Sequence, residues 1–200
     1  MAKTYRNWRG VSDLVAVEIK DTSDAYEAVG EVFDVAGVAE LSRTTENSSE
    51  TVYYDNNPAL VIDSVGADTI TCSCASIDLP VLAKLTGQQY DETLGMFIEG
   101  ERESKYFAIG YKTQRTDGTE VYVWRNKVSV NIPDSTHSTK TGGTESNGQE
   151  LTFTGIMTTH RFTKTGKGSR AVQVELAEDK VDVSTFFETV QTPDTIVAKA

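Results

Sequence analysis

The chain predicts a mainly β fold: a two-sheet β-sandwich or barrel with one short flanking α-helix and extended arms and loops. Three observations carry that expectation. A long hairpin spans residues 104–131, short alternating runs separated by turn residues recur elsewhere, and only one segment carries a full set of helix signals. In the hairpin, Phe107, Ile109 and Tyr111 alternate with Tyr106, Ala108, Gly110 and Lys112. On the return arm Tyr122, Trp124, Val128, Val130 and Ile132 share one parity, and Val121 and Val123 the other. Strand side chains alternate between faces, so one parity suits a core and the other meets water or a neighbour. Asp117-Gly118 between the arms suits a tight turn, because Gly takes positive φ at no steric cost. Two hundred residues suit a single domain over 1–200, able to bury roughly 70% of the unfolded surface.

Taken in order, residues 1–10 carry Lys3, Arg6, Trp8 and Arg9 without periodicity and are expected to form an N-terminal arm. Trp8 there is either tucked onto the protein's own core or inserted into a neighbour. Residues 14–19 alternate and predict a first strand, broken by Asp21-Thr22-Ser23-Asp24. Residues 28–35 are rich in β-branched side chains and favour strand over helix. A strand over 36–43 leads to a polar connection, 44–50, then a short strand over 51–54 and the turn Asp55-Asn56-Asn57-Pro58. Residues 59–62 and 69–76 predict two further strands, the second placing Ile70, Cys72 and Cys74 on one face. Residues 78–87 carry the helix signals: Asp78 as N-cap, Pro80 in the first turn, Gly87 past the end, and Leu79, Leu82 and Leu85 as a stripe for the sheet. A strand over 95–99 precedes the hairpin.

Residues 134–150 contain no large apolar side chain and predict a long polar loop that cannot offset its own ordering entropy. It is either a mobile tether or a loop that orders against a partner. Residues 151–162 return to alternation, 164–170 form a basic turn, and 171–177 form a strand with Val172, Val174 and Leu176 inward. In the C-terminal segment, 183–200, residues 183–190 suit a short helix capped by Ser184. The expected total is eight to ten strands with one or two short helices.

Composition restricts the chemistry. Thirty acidic residues against nineteen basic ones give a formal charge of −11, which disfavours binding to nucleic acid phosphates. No apolar run approaches the ~20 residues of a membrane span, and the first residues lack a signal peptide's apolar stretch, so a cytoplasmic origin is expected. Cys72 and Cys74 have no companion Cys or His cluster and read as small buried apolar residues, not zinc ligands. His137 in the polar loop and His160 beyond it lack a neighbouring nucleophile motif, and no phosphate loop or calcium loop occurs. No catalytic, cofactor-binding or metal site is expected.

Several segments, in order, resemble the major tail proteins of long-tailed, siphovirus-type bacteriophages, especially those infecting Gram-positive bacteria. These are Gly10-Val11-Ser12-Asp13-Leu14 (with Asp13 where that family has Asn), residues 38–42 running on to 47–56, the Leu79-Pro80-Val81-Leu82 helix, the aromatic strand 121–129, Leu151 to Gly155, and Phe186-Phe187 with Val190 to Pro193. The resemblance implies a tail-tube β domain of which six copies close into a ring, the rings stacking into the tube that DNA traverses into the host. It implies a structural virion protein, assembled in the host cytoplasm, that meets other tail proteins such as tape measure, terminator and tail-tip initiator, and no enzyme. Head-to-tail contacts that close a ring also pair strand edges that would otherwise aggregate. Trp8, Glu50, Tyr54, Asp55, His137, Lys140, Phe186 and Phe187 are the candidate contacts between subunits. An acidic lumen wall would repel DNA only within a Debye length of ~8 Å, discouraging adhesion without blocking passage. The alternative is a β-sandwich binding module for carbohydrate or protein, with Trp124, Tyr122 and Tyr53 as a stacking platform.

Overall fold

A computed structural model describes residues 5–139, 147–176 and 180–199. In order, its elements are β1 (Trp8–Asp21), β2 (Tyr26–Asp34), β3 (Val38–Tyr54), β4 (Asn57–Cys74), α1 (Leu79–Thr86), β5 (Gln89–Asp91), β6 (Met96–Ile98), β7 (Tyr106–Arg115), β8 (Glu120–Val130), β9 (Gln149–Gly155) and β10 (Ala171–Glu175). The main sheet runs β2-β1-β7-β8-β9-β4-β3, antiparallel throughout, and β10 also pairs with β8. The fold is mainly β with one short helix, in a sandwich-like arrangement, as expected.

The division into two layers originates in β8. Its first half, Val121 to Arg125, pairs with β10, whereas Val128 to Val130 pairs with β9. At the changeover Phe107 opposes Val128 but Ile109 opposes Arg125, so β8 spends three residues where β7 spends two. Such a bulge bends a strand and lets it pass from one sheet to another. One layer is therefore β2-β1-β7-β8-β10 and the other β8-β9-β4-β3.

The bulge also corrects the parity read from the sequence. With one extra residue between them, Val121, Val123, Val128 and Val130 all face the core between the layers, joined there by Ile70, Phe107, Ile109 and Phe153. Trp124 faces the opposite side, where a second core of Val15, Val17, Ala108 and Val174 is roofed by Phe186 and Val190. The hairpin thus buries both faces. Its turn is as expected: Gly118 has φ 88° and the Asp117 carboxylate accepts from the Thr119 N–H at 3.0 Å.

Helix α1 ends at Gly87 in the left-handed region (φ 70°), as its sequence predicts. Its stripe differs. Leu85 is buried and Val81 and Leu82 pack against the first core, but Leu79 points to solvent. The N-terminal arm is shorter than expected, because Trp8 and Arg9 already pair with Arg115 and Gln114. The strand after the polar loop stops at Gly155 and does not reach residue 162. Residues 184–188 are successive turns, not a helix, and Asp182, not Ser184, supplies the side-chain cap by accepting from the Ser184 N–H at 2.9 Å.

The largest correction concerns residues 44–65. The supposed polar connection over 44–50 is strand, and so is the gap between the two strands expected over 59–62 and 69–76. β3 and β4 form one continuous hairpin of 17 and 18 residues. Asp55 (φ 51°) and Asn56 (φ 64°) close it in a two-residue turn whose positive φ values Asp and Asn tolerate.

Candidate functional site

The outer part of the β3–β4 hairpin stands off the body as an arm. Eight cross-strand pairs, from Asn47/Val65 to Tyr54/Asn57, extend it by about 25 Å at ~3.4 Å per residue. Of residues 46–65, only Val52 is half-buried and every other is exposed. Cross-strand partners share a face, so Val52, Leu60 and Ile62 line one side with Glu50, and Val61 and Val65 the other with Thr51 and Asn47. Val61, Ile62 and Val65 are 53%, 52% and 57% exposed, and Tyr53 and Tyr54 are exposed beside the turn. A two-stranded ribbon alone is marginally stable in water. This one carries apolar side chains on both faces and, in a single copy, no described residue covers either.

The arm is anchored at its root by a buried carboxylate. Asp68, 2% exposed, is met by Arg125 at 3.3 Å, Arg170 at 3.4 Å and Arg43 at 3.5 Å, and it accepts from the Thr45 hydroxyl at 2.7 Å. Arg170 also donates to the Val65 carbonyl at 3.1 Å, clamping the first pair of the arm. Arg125 is itself buried and, among the described residues, its Nε has no partner. Three guanidinium groups therefore share one carboxylate.

The rest of the bulge fixes the surroundings. Asn126 donates to the Gln191 carbonyl and accepts from the Ser169 hydroxyl, while the Tyr26 hydroxyl donates to the Asn126 carbonyl. Lys127 donates to Asp21 at 2.7 Å, and Asp21 also accepts from the backbone N–H groups of Thr159 and His160. Burial alone would raise the Asp21 carboxyl, but Lys127 and the two N–H groups outweigh it and hold it below the usual carboxylate range. Burial pushes the Tyr26 hydroxyl up.

Beside the root, β1 and β3 approach across the open mouth of the sandwich. The groove between them encloses 480 Å³, lined by Trp8, Leu41 and Tyr111 with Arg43, Arg125 and Glu40. Trp8, 62% exposed, forms its rim with the Arg115 guanidinium 5.1 Å from its ring. A larger cleft of 710 Å³ between α1 and residues 101–105 holds Lys105, which already pairs with Glu18 at 3.0 Å. Among the described residues no group of three or more His, Cys, Asp or Glu could hold a metal ion, and no helix is long and apolar enough to cross a membrane.

Of the candidate contacts, Glu50, Tyr54 and Asp55 are brought together on the arm, and Trp8 lies exposed at the groove, neither tucked into the core nor buried by its own chain. His137 is exposed in the described part of the polar loop, well apart in sequence from any of these, and Lys140 lies outside the described residues. Phe186 is 3% exposed and Phe187 half-buried: both rings pack on Tyr122, and Phe187 also on Trp124, within the chain. The same packing removes the aromatic platform. Trp124 is fully buried with its indole N–H donating to the Phe186 carbonyl at 2.9 Å, and Tyr53 is on the arm. Arg43, Asp68 and Arg125 escaped the sequence reading, although the triplet Arg125-Asn126-Lys127 inside an apolar strand was a signal. No protein-family model matches the chain, and no curated protein matches it.

Proposed function

We propose that this chain is a structural subunit that polymerises with copies of itself, in the manner of the phage tail-tube proteins that its sequence resembles: hexameric rings stacked into a hollow tube through which DNA passes, with other tail proteins at its ends. The observation that carries the reading is the arm. Natural proteins rarely leave a long flat ribbon with apolar residues on both faces uncovered, since free edges and patches of this kind drive association. A second copy is the cover that is always present at the same concentration. An arm on one side of a subunit meeting a different surface of the next is a heterologous contact, which closes into rings when the rotation allows and otherwise extends as a filament. The net charge of −11 fits a conduit wall to which DNA does not adhere.

The test is negative-stain electron microscopy and sedimentation of the purified protein over a range of concentration and salt. Rings or tubes are expected, in the wild type and not in a Leu60→Ser/Ile62→Ser variant. Burying the half of each side chain still exposed is worth about 1 kcal/mol, so the pair removes about 2 kcal/mol per contact, roughly 30-fold in dissociation constant. A variant that assembles as the wild type does would refute the role of the arm.

A further inference from the structure

We propose that the groove between β1 and β3 is the receptor for the tip of a second copy's arm, with Tyr53, Tyr54 and Asp55 entering beside Trp8, Arg43 and Arg125. The inference rests on the self-assembly reading above and names the surface that the arm meets. Charge is the first reason. Arg43 and Arg125 line the groove with Glu40, and Arg170 joins them on Asp68; three cations against two carboxylates leave a positive surplus in a chain that is otherwise strongly acidic. Arg125, the buried member of the three, shares its carboxylate with two other guanidinium groups, and among the described residues its Nε has no partner. The arm is the complement: residues 46–65 contain Glu46, Glu50, Asp55 and Asp63 and no Lys or Arg.

Shape and chemistry are the second reason. A groove of 480 Å³ with an exposed indole at its rim accommodates a tyrosyl ring, and the exposed Trp8 ring and Arg43 guanidinium plane offer it faces to stack on. The third reason is reach. β3 runs unbroken from Val38 to Tyr54, so a chain's own tip is held about 25 Å beyond its own groove and cannot fold back without breaking the ladder. An arm that enters the groove therefore comes from another copy, and because arm and groove lie on different surfaces each copy can give one contact and receive one.

Two variants separate the halves of this contact. In the armless chain Ser49 is joined to Asp63 through Asn-Gly. In the groove-blocked chain Trp8→Glu and Arg43→Gln place a negative charge at the rim and remove a cation. Thermal unfolding checks that both fold, and Trp8→Glu alone serves if the double variant does not. By sedimentation velocity each variant alone is expected to remain monomeric, and an equimolar mixture to give a discrete 1:1 heterodimer, because one chain keeps an arm and the other a groove. A mixture that stays monomeric while the wild type polymerises would overturn the groove assignment and leave the assembly reading standing. So would a groove-blocked chain that polymerises as the wild type does. A wild type that stays monomeric at every concentration would overturn both.

Discussion

Replacing Asp68 by Asn tests whether the root of the arm is held by one buried charge. The carboxylate is 2% exposed and touches three guanidinium groups, but the three do not count equally. Arg43 is 43% exposed in its side chain, where an ion pair contributes at most about 1 kcal/mol. Arg125 is 6% exposed, and breaking a buried pair by removing one partner costs about 3–5 kcal/mol, since the remaining charge stays buried. Asn keeps a carbonyl oxygen that still accepts a hydrogen bond, which places the expected loss near the lower end, at about 3 kcal/mol. For a chain of this size that lowers Tm by roughly 6–12 °C. Equilibrium urea unfolding at neutral pH reads the change as a lower midpoint at constant slope. Arg125→Met is the control: it removes the buried cation and leaves Asp68 with Arg43 and Arg170, so the loss should stay below about 1.5 kcal/mol. A loss under 1 kcal/mol for Asp68→Asn, or equal losses for the two variants, would refute the view of Asp68 as the hub.

Two further outcomes follow from other parts of the fold. A Cβ on Gly110 would stand 2.9–3.0 Å from Val15, Phe187 and Trp124, so Gly110→Ala should destabilise by about 1–3 kcal/mol through overpacking and change the near-ultraviolet dichroism of Trp124; an unchanged midpoint would mean that Phe187 does not seal the second core. Asp21 is held below its ordinary pKa when folded, so its contribution is present above the unfolded value of ~3.9 and is lost as pH falls through the lower folded value. The stability gap between wild type and Asp21→Asn should therefore narrow below about pH 4 in urea titrations, and a gap that is constant from pH 6 to pH 3 would show that Lys127 does not depend on this carboxylate.

Fold class, helix, central hairpin and the Asp55-Asn56 turn were legible because each rests on a local rule: alternation, a capping pair, or residues that tolerate positive φ. The arm was not legible as a unit. Residues 44–50 contain no apolar side chain, so they read as a connection, yet a strand exposed on both faces needs none. The parity of Val128 and Val130 was lost for a related reason, since a bulge adds one residue without any change in hydrophobicity. The packing of Phe186 and Phe187 inside the chain was not legible either, because nothing local shows that the Trp124 indole, 62 residues before Phe186, donates to its carbonyl. Glu50, Tyr54 and Asp55 were found from resemblance, and their meeting on one projecting element emerges only when β3 and β4 are paired.

The polar triplet at 125–127 links these features. An apolar core would have been simpler to build, and buried ion pairs are weak evidence for added stability. Their stronger use is to specify one arrangement among several. At this point β8 has two possible continuations, with β10 or with β9, and an apolar triplet would pack in either register. Arg125 reaches Asp68 on β4, Lys127 reaches Asp21 at the end of β1 and the Thr159 hydroxyl, and Asn126 reaches Gln191 in the C-terminal segment and the Ser169 hydroxyl. Slipping β8 by one residue would send each group to the opposite face and leave three buried polar side chains unpaired. The same triplet that divides the sheet thus ties β1, β4 and the C-terminal segment to one register, and through Asp68 it orients the arm. An arm that must meet the same surface on every neighbouring copy needs such a root, because an error of a few degrees there is carried along its whole length.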